Sequence, residues 1–256
     1  MRAQTKSAKT KRKSPRKPDA PPDTVAIRKC IRDFLSSEKF EEKSLGSWQW
    51  GIYAFFDFDG EPIYVGQTRE GISARIGRHL TGQRSDAVAK NVLDPFEVES
   101  IRVWPLDLRH LAEKGLTKKG NESYKMTPKL VSYLDSAERA VYDDLIAAST
   151  FKAILNEKPP AKGESVKLNK PFIRSIIPDE LRAHRQHPDV RIARRAGTIA
   201  ALARVISERE IDVGLRNVLL LQCSRLERLA ESRLAGFGLP KSEGYSEKDG
   251  EKYTKR

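Results

Sequence analysis

Cysteine is scarce: the 256 residues contain two, Cys30 and Cys223. They stand too far apart for a disulfide framework or a thiolate zinc site, so an intracellular, cytoplasmic compartment is the expectation. Long hydrophobic runs are lacking as well. The longest, Val218-Leu219-Leu220-Leu221, is far shorter than the roughly 20 residues that a bilayer-spanning helix needs, and no membrane partner is expected. The N-terminus has charge with no apolar stretch behind it, which argues against a secretory signal. No acidic residue occurs in residues 1–18, which hold eight lysines and arginines, Lys11, Arg12 and Lys13 among them. That segment supplies most of the formal net charge of +13. Such a tail repels itself and has nothing apolar to collapse around, so it is expected to be disordered and to attract a polyanion by counterion release. The plainer alternative is a solubilising leader.

The 38% of apolar residues suffices for a core, and breaks in composition divide the chain. Residues 1–22 form the basic tail, and 23–47 a helix and connector. Residues 48–158 hold strand and helix patterns in alternation. Residues 159–177, with prolines and little hydrophobicity, read as a linker. Helical patterns fill 178–236, and 237–256 is a polar tail. No internal repeat is visible.

The most informative stretch is Gly51 to Gly66, GIYAFFDFDGEPIYVG. Asp59-Gly60 predicts a two-residue type I′ hairpin. Counting outward from it sets Phe55 opposite Tyr64 and Tyr53 opposite Gly66. Alternation then puts Ile52, Ala54, Phe56, Ile63 and Val65 on a core face and Tyr53, Phe55, Tyr64 and Gly66 on the other. Gly66, and with it Gly51, is read as a gap through which a substrate group approaches the phenols. Packing alone is the competing explanation for the tyrosines.

Downstream, Ile72, Ile76 and Leu80 form a helical core stripe, and Arg75 and His79 share a neighbouring face. A guanidinium suits phosphate oxygens, and an imidazole can relay a proton near neutral pH. In a later helix Leu130, Leu134, Ala137, Val141 and Leu145 make the apolar stripe, with Glu138 at its edge. A half-buried carboxylate needs a cation, either a salt-bridge partner or a hard divalent ion. Asn156 can brace the site or cap a turn.

In this order the segments Gly51-Ile52-Tyr53, Tyr64-Val65-Gly66, Arg75-x-x-x-His79, Glu138 and Leu155-Asn156 resemble the GIY-YIG nuclease family over residues 48–158, with Val in place of Ile in the second motif. The resemblance implies an α/β (α+β) module with a three-stranded antiparallel sheet flanked by helices. It also implies phosphodiester hydrolysis with one Mg²⁺ (or Mn²⁺) per active site, held by Glu138. Arg75 would bind the scissile phosphate, and Tyr53 would orient or deprotonate the attacking water. Tyr64 and His79 would assist, and Asn156 closes the module. The long interval between His79 and Glu138 predicts an insertion over 82–125. A freestanding DNA endonuclease of restriction or defence type fits best. An RNA or single-strand nuclease and a catalytically silent nucleic-acid-binding module are the alternatives.

In the C-terminal part, Ile192, Ala196, Ile199, Ala203 and Ile206 predict a seam against Leu215, Leu219, Leu226 and Leu229. The resulting helical hairpin would grip DNA or make a homodimer. Arg182, Arg185, Arg191, Arg194 and Arg195 are candidate phosphate contacts, with a solvated face as the alternative. His184 and His187 have no third ligand nearby, so a zinc site is not expected.

Overall fold

In the computed structural model, residues 21–80, 94–116, 122–208 and 213–238 are described, apart from the side chains of His79 and Glu122. The basic tail with Lys11, Arg12 and Lys13 and most of the polar C-terminus lie outside them. Helix α1 (Pro22–Ser37) leads into a small hairpin of β1 (Lys39–Phe40) and β2 (Lys43–Ser44). Strands β3 (Gly51–Phe56) and β4 (Pro62–Thr68) and helix α2 (Ile72–Leu80) follow. Then come β5 (Ser100–Pro105), a second small hairpin of β6 (Glu113–Leu116) and β7 (Glu122–Lys125), and the long helix α3 (Pro128–Ala148). Strand β8 (Phe172–Ser175) precedes α4 (Asp179–Arg185), α5 (Pro188–Glu208) and α6 (Val213–Ala235). Among the described residues no helix is long and apolar enough to cross a membrane.

The fold is mixed α/β with an antiparallel main sheet and a helical C-terminal region, but the sheet has four strands, in the order β4-β3-β5-β8. The fourth comes from the segment read as linker, because Phe172–Ser175 pairs with Val103–Ser100. Upstream of it, Val166 and Leu168 pack on the core under α3. Residues 157–171 therefore act as a strap. They leave the β4 edge, cross α3, where a Cβ on Gly163 would meet the buried Ser136, and deliver β8 to the far side of the sheet. The small hairpins β1–β2 and β6–β7 were not anticipated either.

Both faces of the sheet are covered. Tyr53, Phe55, Ile101 and Val103 face a core built with α1, α2, α5 and α6, while Ile52, Ala54, Phe56 and Val65 face α3. The helical stripes act as expected: Ile72, Ile76 and Leu80 are buried in the first core, and Leu130, Leu134, Ala137, Val141 and Leu145 in the second. Thr127 caps α3, accepting from the Leu130 N–H, and Pro128 occupies the first turn, where no N–H partner is needed.

The hairpin register comes out as counted, with Tyr53 opposite Gly66 and Phe55 opposite Tyr64, although the turn differs from the expected one. Only Gly60, not Asp59, has positive φ, at 74°. The Gly60 N–H bonds to Asp57 O and the Asp57 N–H to Glu61 O, a three-residue loop in place of type I′. A bulge between Phe55 and Phe56 absorbs the one-residue difference. The two deviations cancel at the tyrosines but not at Ile63, which joins the Tyr53-side core rather than the α3 side.

The C-terminal helices pack on the sheet through charge as well as through apolar side chains. The buried stripe of α5 is Arg191, Arg195, Leu202, Val205 and Ile206, and that of α6 includes Leu215, Val218, Leu221, Gln222, Arg225 and Leu229. It differs from the predicted seam because two arginines lead it. Leu202, Ile206, Leu215, Val218 and Leu221 belong to the same core as Tyr53, so the hairpin packs this stripe against the sheet of its own chain.

Candidate active site

Strand β4 forms one edge of the sheet, and the site straddles that edge. Past Gly66 the strand turns at Thr68, whose hydroxyl accepts from the Gly71 N–H (3.2 Å) and donates to Gly71 O (3.0 Å). Gly71 takes φ +121°, a conformation that side chains disfavour. This turn starts α2 so that Arg75 arrives one turn later beside the phenols. The Arg75 Nε–H donates to the Tyr53 hydroxyl oxygen at 3.3 Å. Burial alone would lower the pKa of this guanidinium. The phenols of Tyr53 and Tyr64 and the carboxylate of Glu138 outweigh that and raise it.

The two phenols form one aromatic unit. The rings of Tyr53 and Tyr64 lie 6.1 Å apart, and Phe55 stacks on Tyr64 at 6.0 Å. The missing side chain of Gly66 makes this possible: a Cβ there would stand 2.6 Å from the Tyr53 hydroxyl and 2.8 Å from Tyr64 Cε1. The gap read as a route for substrate is therefore filled by the tyrosines themselves. Gly51 is likewise an interior contact, since a Cβ would lie 2.8 Å from Trp104 O and 2.9 Å from Ile72 Cδ1. Neither glycine is a substrate approach. Gly66→Ala must push the phenol off Arg75. It is expected to cut activity by about tenfold or more for a displacement near 1 Å with secondary structure intact, which paired turnover and circular dichroism measurements would check.

From the α3 side, Glu138 projects toward the same edge. The Gln67 Nε2–H donates to Glu138 Oε2 at 2.9 Å and to Asp135 Oδ1 at 2.6 Å, and Arg69 pairs with Asp135 at 3.0 Å. Burial first, and the charge of Asp135 in the same sense, push the Glu138 carboxyl above the usual carboxylate range, against the opposing pull of Gln67, Arg69 and Arg75. Gln67, Arg69 and Asp135 escaped the sequence reading. The signal was there: Gln67 is two residues past Val65 and so faces α3, and Asp135 is one turn before Glu138. A shallow groove of about 540 Å³ leads away from Asp135 between the first turns of α3 and Ala161–Gly163.

The carboxylate of Glu138, crowded by a second one and short of compensating charge, fits a hard cation with oxygen ligands. Among the described residues no group of three or more His, Cys, Asp or Glu side chains is placed to hold a metal. Glu138 would leave most coordination positions to water and substrate.

The structure thus brings Tyr53, Tyr64, Arg75 and Glu138 together, whereas Asn156 has another task. Its Oδ1 accepts from the Val65 N–H at 3.0 Å and its Nδ2 donates to Val65 O at 2.8 Å. With the Leu155 N–H on Ile63 O at 3.0 Å, it completes the hydrogen bonding along the outer edge of β4 between Tyr64 and Gly66. Asn156 braces the edge of β4. His79 lies on α2, but its side chain is outside the described part.

Of the five arginines read as DNA contacts, three are buried and two are partly exposed and paired with acids of the same chain, which corrects the expectation of a phosphate-facing row. Arg185, Arg191 and Arg195 are 2%, 4% and 5% exposed. Arg185 pairs with Asp23, Arg191 with Asp59, and Arg195 with Glu97 and Asp57. Arg182 pairs with Glu99, and Arg194 lies over Phe96 within 3.8 Å of Asp94. Charge spacing on a helix cannot reveal that the sheet offers it carboxylates.

Residues 49–124 match the GIY-YIG catalytic domain family. The matched span covers both tyrosine motifs and α2 and ends before α3, so Glu138 and Asn156 are assigned from their geometry. No curated protein and no solved structure matches the chain.

Proposed function

We propose that the chain, whose residues 49–124 match the GIY-YIG catalytic domain, is a divalent-metal-dependent endonuclease that hydrolyses phosphodiester bonds in DNA. The observation that carries this reading is the placement of a phenol, a guanidinium and a largely buried carboxylate at one sheet edge: Tyr53 hydrogen-bonded to Arg75, and Glu138 within electrostatic reach of Arg75. A restriction or genome-defence role is the part of the proposal that rests on resemblance to freestanding members of the family.

Arg75 binds the scissile phosphate and stabilises the charge that grows on its oxygens during attack. It already donates Nε–H to the Tyr53 oxygen, which positions the phenol to orient an attacking water at the phosphate. Tyr64 holds the Tyr53 ring and shares the positive field of Arg75. Gln67 fixes the Glu138 carboxylate. A Mg²⁺ or Mn²⁺ ion on Glu138 would polarise a phosphoryl oxygen and neutralise the leaving oxygen.

The direct test incubates the protein with duplex, single-stranded and branched DNA and with RNA, with Mg²⁺ and with EDTA. Internal cuts in DNA that need the ion support the proposal. Cutting of RNA alone reassigns the substrate, and binding without cutting under every condition removes the activity.

A pH profile examines the carboxylate. Because the Glu138 pKa is raised in the metal-free site and the ion must displace its proton, the acid limb of activity at subsaturating Mg²⁺ should lie above the ordinary glutamate value of about 4.3. Asp135→Asn removes a charge that raises it, so the limb should move to lower pH. An unmoved limb would detach Glu138 from the reaction.

A further inference from the structure

A second cavity, about 520 Å³, is on the other side of the sheet end from Glu138 and takes no part in the chemistry above. Phe40, Trp104, Tyr133 and Phe172 give it aromatic walls, and Lys167 and Lys170 stand at its rim. Its volume suits a small organic ligand. Two acids also line it, but Arg109 engages both Asp107 and Glu41 and holds the Asp107 carboxyl down to about 2, so the lysines set the local charge. The Phe40 wall is fixed by a ring contact of 5.1 Å with Trp48, whose indole N–H donates to Phe40 O. At the mouth, Glu41 and Glu42 turn the β1–β2 hairpin with φ of 45° and 62°, a left-handed pair that a glycine or asparagine would adopt at lower cost. Strain of this kind tends to persist beside functional clefts.

The position is the second argument. Thr68, Gly51 and Pro105 are register neighbours across β4, β3 and β5. Arg69, which belongs to the active-site network, and Leu106, on the cavity wall, each follow by one residue. Two strand spacings, about 10 Å, separate them. Tyr133 and Glu138 likewise lie on opposite flanks of α3, five residues apart.

We propose that this cavity is a nucleotide subsite of the nuclease, which takes an unstacked base of the substrate strand against Trp104 and Tyr133 and its phosphate on Lys167 and Lys170. Aromatic faces accept any base and lysines track the backbone, so the subsite grips single-stranded or locally opened nucleic acid and favours it over an intact duplex. This assignment rests on the nuclease reading and adds to it a preference and a location.

The test uses the full chain in EDTA and a fluorescent single-stranded 12-mer, with Lys167→Glu/Lys170→Glu, Tyr133→Ala and the charge-matched control Lys29→Glu/Lys129→Glu. The lysine pair should weaken binding at least tenfold beyond the control and lower the salt slope by about 1.4. Tyr133→Ala should weaken binding by about 5- to 150-fold with the slope unchanged. Cleavage at saturating substrate should persist in the lysine variant, with the loss in KM. Wild-type-like binding by both variants, alongside normal cleavage, overturns the subsite and leaves the nuclease intact. No binding or cutting of any nucleic acid by the wild type overturns both. Quenching of tryptophan fluorescence by free dAMP, with 12-mer binding indifferent to the variants, gives the cavity to a free nucleotide and overturns the substrate-strand assignment.

Discussion

Glu138→Gln is expected to lower cleavage by on the order of a thousandfold or more, because the ion it would hold supplies several kcal/mol of transition-state stabilisation. Nucleic-acid binding should remain, and the fold should not suffer. The carboxyl has a raised pKa in the folded chain. A group raised in this way favours folding below its unfolded pKa, and the contribution is lost as pH rises through the folded value. Once ionised, the carboxylate therefore works against folding when no cation is bound. Glutamine removes that charge and its oxygen can still accept from Gln67 Nε2. In EDTA the variant should melt at the same temperature as the wild type or higher, with the difference closing toward pH 4. Mg²⁺ should raise the melting temperature of the wild type by mass action and leave that of the variant unmoved. Equal loss of cutting and binding, or a lower melting temperature in EDTA, would recast Glu138 as a structural residue.

What the sequence made legible follows from periodicity. Residues four apart on α2 and the stripe of α3 declared their faces, and the counting that set Tyr53 against Gly66 survived an error in the turn because the bulge repaid it. The features that stayed hidden depend on partners distant in sequence. A glycine opposite a tyrosine reads equally as an opening or as room for the ring, and only the packed phenol distinguishes them. Strand β8 has four residues, no alternation and lysines just before it, so only its pairing with β5 marks it as strand. The arginines of α5 carried the strongest misdirection. Apolar counting ignores them and charge counting sends them to a polyanion, whereas the sheet end supplies Asp57, Asp59 and Glu97.

Those carboxylates make Asp57→Ala the most damaging substitution expected in this chain. Asp57 is 2% exposed and does two jobs. Its Oδ1 accepts from the Asp59 and Glu61 N–H groups at 2.9 and 3.0 Å and so shapes the hairpin loop. Its Oδ2 accepts from Arg225 at 2.8 Å and from Arg195 at 3.4 Å. Arg225 also donates to Pro62 O and Arg195 to Arg225 O, each at 3.1 Å, so α5, α6 and both strands of the hairpin meet at this point. Three acids face three arginines, and the cluster is neutral only while all six are present. Removing Asp57 leaves a guanidinium 1% exposed without its nearest acid. Breaking a buried pair from one side costs about 3–5 kcal/mol, a large part of the roughly 5–15 kcal/mol that holds a domain together. In a chain of this size that lowers the melting temperature by roughly 6–20 °C. Asp143→Ala, which breaks the half-exposed pair with Arg139, should cost about 0.5 kcal/mol or less and serves as the control. Urea titration of the two variants would check the contrast. The same cluster predicts that a chain cut after Ser175 gives no folded nuclease, since the sheet would keep two buried carboxylates, Asp57 and Glu97, and lose the arginines that answer them; a stable, soluble fragment would mean that the helices only decorate the sheet.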